Sequence, residues 1–188
     1  MFETVRNAFK IKDLRKKLFY TFFALIVVRI GSQLPVPGVK YEAIREMFNS
    51  QKSLDFFNQL TGGSFEQMSI FALNITPYIT ASIIIQLLTI AIPRLEELHK
   101  DGEEGRKKLT EYTRYVTIGL SVLESAAMAI GFGNSGYLTD DKITFTSVSV
   151  IIVSLTAGSA FLMWLGEQIT EKGVGNDISI IILYKICL

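Results

Sequence analysis

Few residues in this 188-residue sequence can do chemistry, and their types exclude most of it. His99 is the only histidine and Cys187 the only cysteine. A lone histidine in a charged segment supplies neither a multi-histidine metal site nor a Ser-His pair across helices. A single thiol forms no intrachain disulfide and no thiolate cluster. Gly158-Ser159 offers a hydroxyl but has no base that spacing brings near it. Arg29 and Glu124 matter more, because each stands inside a long stretch otherwise free of charge. Ionised groups in such surroundings are costly and face a bundle interior, a partner or water. The other candidates are conformational. Asn74-Ile75-Thr76-Pro77 interrupts an apolar block, and Ile79 and Ile83 follow it four residues apart. Rings of bulky aliphatic side chains gate pores by excluding water, although isoleucines on a membrane helix also serve as lipid contacts or packing.

The elements that carry these residues are apolar blocks. Mean hydropathy is +0.34. Of 19 basic and 18 acidic residues, only Arg29 and Glu124 fall within 18–39, 67–93, 115–139 and 143–166. A soluble domain spreads charge over every surface element. Blocks of this length instead match a hydrocarbon core of about 30 Å, crossed by roughly 20 helical residues. An ordinary soluble enzyme is excluded, and so is a barrel of short alternating strands. The formal net charge of +1 gives no basic field for sequence-specific nucleic acid.

The first span is expected over 18–34, ended by Pro35-Val36-Pro37-Gly38. A second lies within 67–93, a third over 115–133 and a fourth over 145–165; the start of a fifth occupies 175–188. Residues 1–17 are rich in Lys and Arg, and no small-residue cleavage site follows them. Phe2, Val5 and Phe9 fall at helical spacing, so this segment reads as an interfacial amphipathic helix or a solvated basic tail. Its charge places the N-terminus in the cytoplasm. The 93–114 connection carries Arg94, Lys100, Arg106, Lys107, Lys108 and Arg114, whereas 133–144 carries only Lys142. The alternation agrees with the positive-inside rule.

Pro77 splits the second block. From Pro77 to Ile92 a helix is about 24 Å long, short of a crossing. Upstream, 53–66 reads as a half-helix closed by Thr61-Gly62-Gly63. The expected arrangement is a short helix, a glycine break, an irregular stretch and a helix over 77–92 that starts partway through the membrane. The alternative is a proline-kinked continuous helix with 53–66 as a surface loop.

The motifs themselves are recognisable. Val28-Arg29-Ile30-Gly31-Ser32-Gln33-Leu34-Pro35-Val36-Pro37-Gly38 resembles the end of the first membrane helix of the SecY family. The run from Ser69 to Ile84, through Asn74-Ile75-Thr76-Pro77-Tyr78-Ile79, resembles its second-helix signature. Gly102-Glu103-Glu104-Gly105-Arg106-Lys107-Lys108 with Tyr112-Thr113-Arg114-Tyr115 is similar to its first large cytoplasmic loop. Phe161-Leu162-Met163-Trp164-Leu165-Gly166-Glu167-Gln168-Ile169-Thr170-Glu171, then Gly173-Val174-Gly175-Asn176, matches its fourth-to-fifth helix connection.

The resemblance implies an all-α, polytopic membrane protein: the N-terminal half of the SecY clamshell, truncated in the fifth helix, with the second helix broken. It implies a protein-conducting channel, without catalysis or cofactor, in the bacterial plasma membrane. Ile79, Ile83, Ile178 and Ile182 would form half of the hydrophobic pore ring. Leu54, Phe57, Leu60, Gly62 and Gly63 would belong to the plug. Arg106, Lys107 and Lys108 in the 93–114 loop would meet cytoplasmic partners. The implied partners are the small membrane subunits SecE and SecG, the SecA ATPase, the ribosome, signal sequences, nascent polypeptides and membrane lipid. Asn74 and Asp177 depart from the family by replacing usual glycines, and Asp177 could cap the fifth helix. A secondary solute transporter half is the competing reading. Transporters place charged or coordinating groups at a helix break, whereas this one is followed by isoleucines. An intramembrane enzyme is the third reading and lacks a second histidine.

Overall fold

The computed structural model describes residues 12–50, 67–138 and 145–173. Six helices carry the described chain: α1 (Lys12–Ser32), α2 (Tyr41–Ser50), α3 (Thr76–Ala91), α4 (Pro93–Lys100), α5 (Gly102–Asn134) and α6 (Phe145–Lys172). The expected N-terminal residues before 12, the plug-like stretch 53–66 and the fifth span lie outside the described residues.

Helices α1 and α5 bury mainly small residues and expose large ones, whereas α6 buries Ile151, Leu155, Leu162 and Ile169. On α1 the buried face is Thr21, Ala24, Val28, Gly31 and Ser32, while Phe19, Phe22, Phe23, Ile26 and Ile30 are exposed. On α5 the buried stripe repeats every four residues through Gly105, Leu109, Thr113, Thr117, Ser121, Ser125 and Ala129. Its hydroxyls donate to their own helix, Thr117 to the Thr113 carbonyl at 2.7 Å and Ser125 to Ser121 at 2.6 Å. Across the seam, the Ser125 and Thr156 hydroxyls share a 3.2 Å hydrogen bond with α6. Small inward residues with bulky apolar residues outward are what close helix packing requires when the surroundings are themselves apolar.

Helices α5 and α6 are each long and apolar enough to cross a membrane. The α3–α4 pair would be a third span, but the two are bent by 103° at Ile92. Helix α1 does not join them by length and composition, because Lys12, Arg15, Lys16, Lys17 and Arg29 share its 21 residues.

Outside α2, the described chain between α1 and α3 is irregular, and from Met68 onward it is largely buried. Met68 to Ile75 is turn-like, and all of it except half-buried Ile70 lies in the interior. Hydrogen bonds tie its backbone to the segment that follows α1 and to its own turns. Val36 N–H donates to the Met68 carbonyl at 2.8 Å, Ile70 N–H to Leu34 at 2.9 Å and Asn74 N–H to Phe71 at 3.0 Å. Isolated antiparallel bridges join Pro35 to Ser69 and Val39 to Leu138. Lys40 N–H reaches the Tyr137 carbonyl at 2.8 Å, tying this segment to the far end of α5. The continuous proline-kinked helix is thereby excluded: Pro77 sits in the first turn of α3, where a missing N–H costs nothing.

The stretch 93–114, expected as a loop, is helical except at Asp101. Pro93 opens α4 and a Glu96–Lys100 pair at 2.6 Å spans one of its turns. Helix α5 then starts at Gly102, well before the expected 115. Its 33 residues span about 50 Å, so its charged first turns project beyond a hydrocarbon core of about 30 Å.

Candidate functional site

The site is built around the start of α3. Asn74 is buried with φ of +57°, in the left-handed region. Asparagine adopts that conformation more readily than other residues with a side chain, which accounts for its standing where a glycine was expected. Two residues later the chain enters α3. Pro77, Ala81, Ile85 and Thr89 form its buried stripe. Ile79 is half-buried and packs with Tyr78 against a cluster that includes Val28, Phe71, Ile75 and Leu162. Ile83, one turn on, is 51 % exposed, and Ile90, two turns further, is 82 % exposed. Helix α3 therefore presents an aliphatic face with no cover among the described residues. Ile178 and Ile182, expected to extend this face, lie outside the described residues. So do the plug candidates Leu54, Phe57, Leu60, Gly62 and Gly63.

The α4–α5 corner explains two motif glycines. Gly102 has φ of +72°, a conformation that disfavours side chains. At Gly105 a Cβ would lie 1.7 Å from the Leu98 carbonyl oxygen, so only glycine lets α4 fold back so closely. Arg106, Lys107 and Lys108 are all exposed immediately after this corner. Successive helical positions are about 100° apart, so they do not form one patch. Arg106 borders a pocket between α3, α4 and α5, whereas Lys107 borders a different cleft beside α6.

That second cleft, of about 680 Å³, contains an ion pair that sequence reasoning missed. Arg114 donates from Nε to Glu167 Oε1 and from a terminal nitrogen to Oε2, both at 2.8 Å. Hydrogen bonding to Glu167 pushes the Arg114 guanidinium further into its charged form. The bidentate geometry fixes orientation as well as distance between α5 and α6. The Tyr-Thr-Arg-Tyr and Gly-Glu-Gln motifs thus meet across 53 residues of sequence.

Arg29 and Glu124 are both half-buried, and among the described residues neither has an ion-pair partner. Arg29 lies in the last turn of α1, where the helix dipole favours a cation.

The profile of the SecY family matches residues 69–188. The protein translocase subunit SecY of Halalkalibacterium halodurans is 49 % identical over 186 residues, covering 97 % of this chain and 42 % of the relative. The Bacillus subtilis subunit is 48 % identical over 185 residues, with the same coverage. That of Streptomyces coelicolor is 42 % identical over 199 residues, covering 99 % of this chain and 45 % of the relative. The chain spans less than half the length of these curated relatives. The backbone is similar to Sec61 in a canine ribosome–channel complex from the endoplasmic reticulum, with a TM-score of 0.63 at 20 % identity. That match covers 92 % of this chain and 36 % of Sec61. A SecY structure concerned with how the plug domain stabilises the closed channel matches with a TM-score of 0.62 at 22 % identity. It covers 90 % of this chain and 35 % of the other.

Proposed function

The chain belongs to the SecY family, and from that premise we propose that it forms one half of a protein-conducting channel. The complete channel would pass secretory polypeptides across the plasma membrane and release membrane segments into lipid. The observation that carries this reading is the start of α3. A buried, hydrogen-bonded irregular stretch ends at Asn74, and a 16-residue helix then begins with Ile79 and Ile83 in its first two turns. Irregular backbone at membrane depth is tolerated where protein buries it or a water-filled cavity adjoins it. A helix starting there presents side chains to a pathway rather than completing a crossing. No charged group stands at the break among the described residues, and aliphatic Ile79 and Ile83 follow it, which disfavours the solute-transporter alternative.

In this reading Ile79, Ile83, Ile178 and Ile182 form half of an apolar pore ring, and 53–66 plugs it from outside. Helices α3 and α5 form one wall of a lateral gate. Helix α1 crosses with its basic first turns at the cytoplasmic surface. Spans over 18–34, 77–92, 115–133, 145–165 and from 175 alternate in direction. The ring works by being narrow and dry, so no catalysis and no cofactor enter the mechanism. Arg106, Lys107 and Lys108 meet a ribosome or the SecA ATPase, and SecE and SecG pack against the outer helices.

Topology tests this arrangement. Single cysteines at Lys107 and at Asp141, in a Cys187→Ser background, should react with an impermeant thiol reagent from opposite sides of the membrane. Labelling of both from one side would contradict the alternating spans.

A further inference from the structure

Two polar contacts join α5 to α6, and their spacing is matched. One is the Arg114–Glu167 pair, with both of its contacts at 2.8 Å. The other is the 3.2 Å hydrogen bond between the Ser125 and Thr156 hydroxyls. Eleven residues separate the two contacts on α5, and eleven separate them on α6. The earlier residue on α5 meets the later one on α6, so the helices run antiparallel. Eleven residues complete three turns to within about 20° and rise roughly 16.5 Å. Both contacts therefore lie on one stripe of each helix, at the same two heights. Between them the α5 stripe is made of Thr117 and Ser121, which are small and buried.

One contact leaves two helices free to pivot about it. Two contacts at separate heights fix both tilt and sliding. Exposed ion pairs ordinarily contribute little, so geometry decides whether this one holds. The Glu167 side chain is only 15 % exposed and receives two donors from one guanidinium, a fork that sets direction as well as distance. Helix α3 packs on α5, and α5 packs on α6. Tyr78, the neighbour of Ile79, lines the same cleft as the ion pair. We propose that Arg114 and Glu167 are positioning residues for the gate: together with Ser125 and Thr156 they lock α5 to α6, so that the wall built from α3 and α5 moves only with α6. Without the ion pair, α5 pivots about Ser125 and its first turns swing away from α6. The inference rests on α3 and α5 forming a gate wall, as proposed above, and adds which side chains hold that wall in place.

The test places nitroxide labels at Glu104→Cys and Lys172→Cys in a Cys187→Ser background. Both positions are exposed, and both lie beyond the ion pair as seen from the Ser125 pivot. Pulsed electron paramagnetic resonance reads their separation in the complete channel in lipid vesicles, empty or holding a stalled secretory chain. With the pair intact, the two distance distributions should be narrow and should coincide. Arg114→Glu and Glu167→Arg each set like charges against one another, so each should lengthen and broaden the separation, most with the chain engaged. Exchanging the two residues, Arg114→Glu with Glu167→Arg, should restore the narrow distribution. Arg114→Lys keeps the charge without the fork and should fall between. Arg114→Gln adds no repulsion, so it carries the test should a reversal fail to fold, and should broaden the engaged distribution. A separation that shifts on chain engagement with the pair intact would overturn the inference. So would an Arg114→Gln distribution that stays narrow, or a folded exchange that fails to restore the separation. A stalled chain that does not co-purify with the channel would instead contradict the channel reading, and the premise with it.

Discussion

Replacing Ile79 and Ile83 together by asparagine is expected to make the resting complete channel leak ions. A narrow aliphatic constriction stays dry because water loses hydrogen bonds on entering it. If each substitution removes about 1.5 kcal/mol of that cost, the low end for an aliphatic side chain, the wetted population rises roughly a hundredfold. The same change shrinks the free-energy gap between closed and open states, so defective signal sequences should be transported more readily. Conductance of planar bilayers and export of a reporter with a crippled signal sequence measure the two effects. A double mutant that neither leaks nor relaxes signal-sequence stringency would return both isoleucines to ordinary packing. Ile79 already packs against Phe71 and Ile75, so its single substitution should cost more stability than that of Ile83.

Gly158→Ala should be, with Gly105→Ala, among the most damaging changes of a single methyl in the described helices. A Cβ at Gly158 would lie 2.1 Å from the carbonyl oxygen of Ile70. The obstacle is backbone rather than the end of a flexible side chain, and the same residue's N–H already donates to the Leu34 carbonyl at 2.9 Å. The buried stretch below α3 and helix α6 would be pushed apart, at a cost of about 1–3 kcal/mol. Gly119→Ala is the control, since nothing lies within 4 Å of its added methyl. It should be neutral or slightly stabilising, because alanine is the better helix former. Thermal unfolding in detergent compares the two. Equal melting temperatures would show that the Ile70–Gly158 contact does not hold these elements together.

What could be read from residues alone followed what hydropathy encodes. The charge-free blocks 115–139 and 143–166 mark where α5 and α6 are apolar, because desolvating an ion is costly wherever it stands. The break before Pro77 was also readable, since proline cannot continue a helix from its N-terminal side. Which way each helix faces was not. In an apolar surrounding, hydrophobicity no longer tells inside from outside, and the packing signal is carried by small residues such as Ala24, Ser121 and Gly158. Asn74 looked like a departure until its positive φ gave the reason.

The corner after α3 was hidden differently. Its charges suggested a loop, and charge does not distinguish a solvated loop from a solvated helix. Pro93 at a helix start, Glu96 and Lys100 four apart, and Gly102 were the signals that could have revealed α4. The Arg114–Glu167 pair was beyond reach, because no local spacing predicts a contact across 53 residues. It depends on α5 and α6 packing side by side, which only the folded chain specifies.

The central claim is that the face of α3 carrying Ile83 lines a polypeptide pathway. Site-specific photocrosslinking tests it most directly, with a photoreactive residue at Ile83 or at Val153 of α6 in the complete channel holding a stalled secretory chain. Both positions are exposed, Ile83 at 51 % and Val153 at 66 %, so accessibility within this half does not separate them. The account predicts strong crosslinks to the stalled chain from Ile83 and crosslinks to lipid or other subunits from Val153. Equal crosslinking to the chain from both positions, or none from Ile83, would contradict it.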